Sequence, residues 1–243
     1  MIPEKMDRKA KKMKTRNGQM SESLRLGILL AIVGGFLEAY TFFCRGGVFA
    51  NCQTGNLVMF ALSAADGDGE NMILYLIPVV AFVVGIFLAE WIRQLFSQYQ
   101  KIHWRQIIIL FEIVCLAVTA FIPGGKLDVV VTTVIAFVCS MQVESFRKVR
   151  GKAFATTMCT GNLRSASENL YHWMVGRNKE AKEKGGHYLI IVGSFMGGAV
   201  LGATLTHIFI EKAVLFCCVI LFLTFLFMFC QESGTIKREN VCD

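Results

Sequence analysis

Six apolar runs, at about 24–43, 72–92, 106–122, 128–146, 187–209 and 213–230, dominate the chain. Each reaches the ~17–20 residues that an α-helix needs to cross a hydrocarbon core of about 30 Å. In lipid every backbone polar group must be satisfied internally, so runs of this kind predict spanning helices, and the expected fold is an all-α polytopic membrane bundle. The 54% share of apolar residues agrees, since ordinary soluble domains hold roughly 45–50%. The first run follows a basic segment and ends in a carboxylate and a Gly-rich turn without a small-residue cleavage site. It therefore reads as a first membrane helix rather than a cleaved signal.

The formal charge of +7 does not mark a nucleic-acid surface, because the basic residues sit in short clusters between the apolar runs. They read as topology signals. If the six runs alternate from a cytoplasmic N-terminus, nearly all of the 25 Lys and Arg fall on the inside. The acidic Asp66, Asp68 and Glu70 then fall outside. This predicts a membrane chain with both termini cytoplasmic: a basic tail over 1–23, a membrane domain over 24–230 and a second tail over 231–243. The nine cysteines show no C-x-x-C pairing, and most lie within apolar runs, where a thiol acts as a small hydrophobe. Neither a disulfide framework, a metal site nor a cofactor is expected.

Two further segments, 47–65 and 153–175, carry polar clusters and match each other. A shift of 106 residues aligns Glu38 with Glu144, Tyr40 with Phe146, and Thr54-Gly55-Asn56-Leu57 with Thr160-Gly161-Asn162-Leu163. This agreement predicts an internal duplication, 24–122 and 128–230. Were both segments to span, the basic loops 93–105 and 147–152 would move outside, against the positive-inside rule. The expectation is therefore six spans plus two broken or re-entrant segments, and three spans per repeat makes the repeats inverted.

Thr54 and Thr160 are expected as helix N-caps, with Gly55 and Gly161 allowing close backbone approach. Asn56 and Asn162 complete the motif. Two half-helix N-termini meeting near the midplane would offer free N–H groups to a substrate; structural caps at a tight crossing are the other reading. Glu38 and Glu144 lie within or at the end of spans, where an ionisable group faces the interior by default. Either they serve function or they bond the amides of the adjacent broken segment or an arginine, Arg45 or Arg164. A carboxylate suits a proton or cation, whereas helix N-termini suit an anion or neutral polar ligand, and the sequence leaves both open. Arg164 is expected either as counter-charge to Glu144 or an anion, or as a helix partner of Glu168. Leu163, Ala166, Leu170 and Met174 form an apolar stripe on an interfacial or cavity-lining helix. Gly193, Gly197, Gly198 and Gly202, and Gly85 with Ala89, form small-x-x-x-small patterns for close packing.

The sequence resembles the YoaK-like family of small bacterial membrane proteins. The resemblance is carried by Gly34-Gly35-x-x-Glu38, by Gly46-Gly47-Val48-Phe49-Ala50 leading to Thr54-Gly55-Asn56, and by Gln142 followed by Phe154-Ala155-Thr156-Thr157 and Thr160-Gly161. It covers about 24–230 and implies no biochemical activity. The expected function is a small-molecule or ion permease whose site comprises Glu38, Thr54, Gly55, Asn56, Gln142, Glu144, Thr160, Gly161, Asn162 and Arg164. A homodimer in the lipid bilayer is expected, with no nucleic-acid partner. The scattered His103, His172, His187 and His207 make no H-E-x-x-H, so an enzyme is not expected; a non-transporting membrane partner or sensor is the alternative.

Overall fold

A computed structural model describes residues 24–96, 104–146, 148–149, 152–153 and 159–239. The basic tail 1–23 and the Phe154-Ala155-Thr156-Thr157 stretch lie outside the described residues. Helix α1 (Leu24–Cys44) is followed by a short α2 (Gln53–Ala65), then α3 (Gly69–Phe96), α4 (Trp104–Thr119) and α5 (Asp128–Ser145). After a two-residue antiparallel pairing of Lys148–Val149 with Lys152–Ala153 come α6 (Cys159–Gly176), α7 (Lys179–Phe209), a 3₁₀ turn (Ile210–Ala213) and α8 (Val214–Glu239). The described chain is thus helical apart from that small hairpin.

Among the described residues four stretches are long and apolar enough to cross a membrane: Leu24–Cys44, Gly69–Phe96, Asp128–Ser145 and Lys179–Met228. The last contains both runs expected at 187–209 and 213–230, joined through the 3₁₀ turn. The run expected at 106–122 gives a helix of only 16 residues, because the chain leaves α-geometry after Thr119. Helix α7 starts earlier than its apolar run, at Lys179, where the Asn178 side chain accepts from the amides of Glu180 and Ala181. Helix α8 runs through to Glu239, past the expected boundary at 230.

Helix α1 is apolar on every side and is buried accordingly, with Leu30, Phe36, Leu37 and Tyr40 essentially inaccessible. Its main partner is α7, while α3 packs mainly on α5. Helix α2 lies along α3, α6 along α7, and α4 against α8. The α1–α7 crossing is a backbone-to-backbone contact. A Cβ on Gly35 would strike the Phe195 carbonyl, and one on Gly198 or Gly202 would strike the carbonyl of Ile32 or Phe36. By contrast, Gly193 and Gly197 face open space. The four-glycine pattern therefore splits into one packing face and one outward face.

One end of the bundle is tied by Arg45, fully buried just beyond α1. Its guanidinium donates to the Tyr40 hydroxyl (3.0 Å), Asp128 Oδ1 (3.1 Å) and the carbonyls of Thr119 (3.2 Å) and Ile122 (2.9 Å). Tyr40 in turn donates to the Glu211 carbonyl (3.1 Å), and the Gly124 amide donates to Glu211 Oε1 (3.1 Å). The ends of α1 and α4, the start of α5 and the α7–α8 turn are thus gathered together. At the other end, Arg105 Nε donates to the Ser145 carbonyl (2.6 Å), joining the start of α4 to the close of α5. Side chains on the outer faces, such as Phe87, Trp91, Met196 and Val200, are apolar and exposed. A surface of this kind suits lipid rather than water.

Candidate functional site

The site grows from a chain reversal. Gly46 and Gly47 both adopt positive φ (78° and 72°), a conformation that side chains rarely take, and they turn the chain back along α1. Backbone exposed at this depth needs partners. Glu38, only 7% exposed, supplies two of them: Oε2 accepts from the Ala50 amide (2.8 Å) and Oε1 from the Asn51 amide (3.2 Å). Asn56, fully buried, accepts from the Phe49 amide (3.0 Å) and donates to the Phe49 carbonyl (2.8 Å) and to Gln53 Oε1 (2.9 Å). Gln53 Nε2 reaches the Ala50 carbonyl (2.9 Å). Three side chains therefore wrap the backbone of 49–51, and of the readings open for Glu38 the geometry is that of a carboxyl bonded to the amides of the broken segment, not to Arg45.

The expected caps are corrected. Helix α2 begins at Gln53 with Cys52 in the capping position and no side-chain cap, so Thr54 lies inside the first turn and is exposed. The chain closes onto itself instead: the Gln53 amide donates to the Asn51 carbonyl (2.9 Å), and the amides of Gly55 and Asn56 donate to the Cys52 carbonyl. Thr160 is likewise second in its helix, after Cys159, and is exposed with Gly161. Gly55 leaves room for the Phe49 ring, which stacks on Phe42 at 5.0 Å.

Helices α2 and α6 present the same pattern. Asn56 is the buried residue of α2, and Asn162 is buried in α6 together with Ala166. The motif asparagine thus faces inward in each helix. Between α1 and α5 the layer continues. Asn51 is only 3% exposed, yet neither its Nδ2 nor its Oδ1 has a hydrogen-bond partner. Its amide lies beside the Cys139 thiol. One turn further along α5, buried Gln142 donates through Nε2 to both carboxyl oxygens of Glu112 (3.1 Å each).

Of the expected residues, Glu38, Gly55, Asn56 and Gln142 thus line a common layer with Asn51, Cys139 and Glu112. Asn162 is buried close by in sequence to Cys159. Glu144 is half-buried in the last turn of α5 and is engaged. Arg164 is exposed on α6, and among the described residues it makes no ion pair with Glu144 or Glu168, so both expected charge partnerships are corrected. The stripe expected on α6 also divides: Ala166 and Leu170 meet α7 near Gly185, whereas Leu163 and Met174 are exposed. Sequence reasoning passed over Glu112, although a carboxylate inside an apolar run was the same signal that singled out Glu38.

A family model for proteins of unknown function, DUF1275, matches residues 26–227. The chain belongs to this family. The match runs from within α1 into α8, the two Thr-Gly-Asn segments included. No curated protein and no solved structure matches the chain.

Proposed function

We propose that this DUF1275 chain is a small permease of the bacterial inner membrane, built as inverted repeats of three spans and one half-helix, with both termini cytoplasmic. The observation that carries the reading is that α2 and α6, each opening on a Thr-Gly-Asn motif, both bury its asparagine, Asn56 and Asn162. Interrupted helices whose N-termini converge bring amide dipoles to a substrate in inverted-repeat transporters, and we read α2 and α6 as such a pair. The unpartnered Asn51 amide beside them offers a donor and an acceptor to a polar solute. The chemistry is binding and passage rather than catalysis.

The packing supports the repeat. If α1 to α4 correspond to α5 to α8, the α1–α7 pair becomes α5–α3 under exchange, α2–α3 becomes α6–α7, α1–α8 becomes α5–α4, and α4–α8 maps onto itself. Every one of these pairs is packed. The gathering of the ends of α1 and α4, the start of α5 and the α7–α8 turn at one end supports six alternating crossings. Helix α2, 13 residues or about 20 Å long, is too short to cross alone.

Uptake into proteoliposomes of a panel of small neutral polar solutes and organic anions tests the reading. The wild type is expected to accumulate at least one of them, and Asn51→Ala is expected to abolish that uptake with the thermal midpoint unchanged, because its amide has no bonds to lose. Sidedness is read separately, with single cysteines at Gly67 and Lys152 and an impermeant thiol reagent on intact cells. Labelling at Gly67 alone is expected. Labelling at Lys152 alone would remove the inverted repeat, and the absence of any flux would favour a non-transporting membrane partner or sensor.

A further inference from the structure

Glu112 stands in the middle of α4, completely buried, with Gln142 Nε2 as its hydrogen-bond donor to both oxygens. A carboxylate enclosed in this way without a cation costs several kcal/mol, far more than one amide donor returns. Among the described residues the titratable groups around it include the thiols of Cys115 on its own helix, Cys139 on α5, and Cys217 and Cys218 on α8, the last bonded to the Ile113 carbonyl; Arg105, two turns earlier on α4, gives its Nε to the Ser145 carbonyl. The charged residues on the neighbouring α3 are spoken for, since Arg93 pairs with Glu90 at 2.8 Å. Arg45 is committed to Asp128 and Tyr40 at the end of the bundle. Among the described residues, then, no cation neutralises Glu112.

Each oxygen of Glu38 has its own backbone amide donor, whereas both oxygens of Glu112 share the one Gln142 amide nitrogen. Gln142 stands one turn beyond Cys139 on α5, and the buried Cys139 thiol lies beside the Asn51 amide, which is more than nine-tenths buried and whose Nδ2 and Oδ1 have no hydrogen-bond partner. A polar side chain left without partners in a membrane interior marks a place where something polar comes and goes.

We propose that Glu112, positioned by Gln142, is a reversible proton-binding site at the centre of the bundle, opening toward the Asn51–Cys139 layer. The step is a single transfer: hydronium reaching that layer from solvent gives its proton to one carboxylate oxygen and leaves as water, and the neutral acid returns the proton to a water as hydronium. Gln142 holds the carboxyl in either state. This inference deepens the permease reading, resting on it only where the proton is taken to couple to a solute.

Infrared difference spectroscopy of the purified chain in lipid, titrated with alkali, reads the site directly. A carbonyl band of a protonated carboxylic acid in dry surroundings is expected at neutral pH, disappearing as the pH rises and lost in Glu112→Gln. Gln142→Leu is expected to move the pH at which the band disappears, whereas a merely structural glutamine would leave that pH in place. Absence of the band in the wild type, or its persistence at full height in Glu112→Gln, would overturn the proposal. Should Glu112→Gln fail to fold, an apolar carbodiimide applied to the wild type decides the matter. An adduct on Glu112 that fades with rising pH supports the proton site, and none on Glu112 overturns it. Failure here would leave the convergence of α2 and α6 untouched, so it is distinguishable from failure of the uptake experiment.

Discussion

Asn56 replaces a strand partner: its amide reads both the N–H and the C=O of Phe49, as a neighbouring backbone would. Asn56→Ala strands both groups in a buried turn, and each such orphan costs ~1–3 kcal/mol. A loss of about 2 kcal/mol or more is expected, read as a lower thermal midpoint in detergent; an unchanged midpoint would mean that the turn finds other partners. Asp68 offers a pH-dependent counterpart. It accepts from the Asn71 amide (3.1 Å) and side chain (2.6 Å) at the start of α3, and these bonds hold its carboxyl below the ordinary aspartate range. A depressed carboxyl contributes stability above its unfolded value, and that contribution is lost as pH falls through the folded one. Asp68→Asn is therefore expected to lower the midpoint at neutral pH, with the difference shrinking as the pH falls below the ordinary aspartate range. At this scale the sequence marked the importance of Thr-Gly-Asn but misread its chemistry. Capping preferences pointed to Thr54, whereas the cap is Cys52 and the helix starts two residues earlier, where the Gln53 amide turns back to the Asn51 carbonyl.

Between elements, the contact that decides packing is backbone against backbone. Gly198→Ala puts a methyl group into the Ile32 carbonyl, and α1 is too enclosed to move aside, so a loss of about 1–3 kcal/mol is expected. Gly197→Ala meets open space, and its better helix propensity makes it neutral or stabilising by up to ~1 kcal/mol. Opposite shifts in thermal midpoint for adjacent glycines check the crossing, and equal shifts would refute it. The small-residue spacing announced a close approach on this helix. It could not say which glycines make it, because overlapping patterns occupy two faces and only the partner selects one. The lengths of α2 and α4 were also hard to read: apolar composition continues past Thr119 to Ile122, but the chain there turns to present its carbonyls to Arg45.

For the whole molecule, that arginine is the closure of one end. Arg45→Met would leave Asp128, Tyr40 and two carbonyls facing an apolar side chain, and breaking a buried pair costs roughly 3–5 kcal/mol. Asp128→Asn in the same chain is expected to recover part of the loss, a coupling that a double-mutant cycle in thermal unfolding would measure; simple additivity would show that the ion pair contributes nothing of its own. Membrane character and helical class were plain from the apolar runs. The Arg45–Asp128 pair was not, because nothing local connects residues so far apart in sequence. The exchange of partners between halves has a consequence for synthesis. Helix α1 finds its seat only when α7 has been made, and at 5–20 residues per second that is on the order of 10–30 s later. Throughout that interval its glycine face must be shielded by lipid or by the insertion machinery. A ribosome stalled in the middle of the message would release a first half with no surface of its own on which to close.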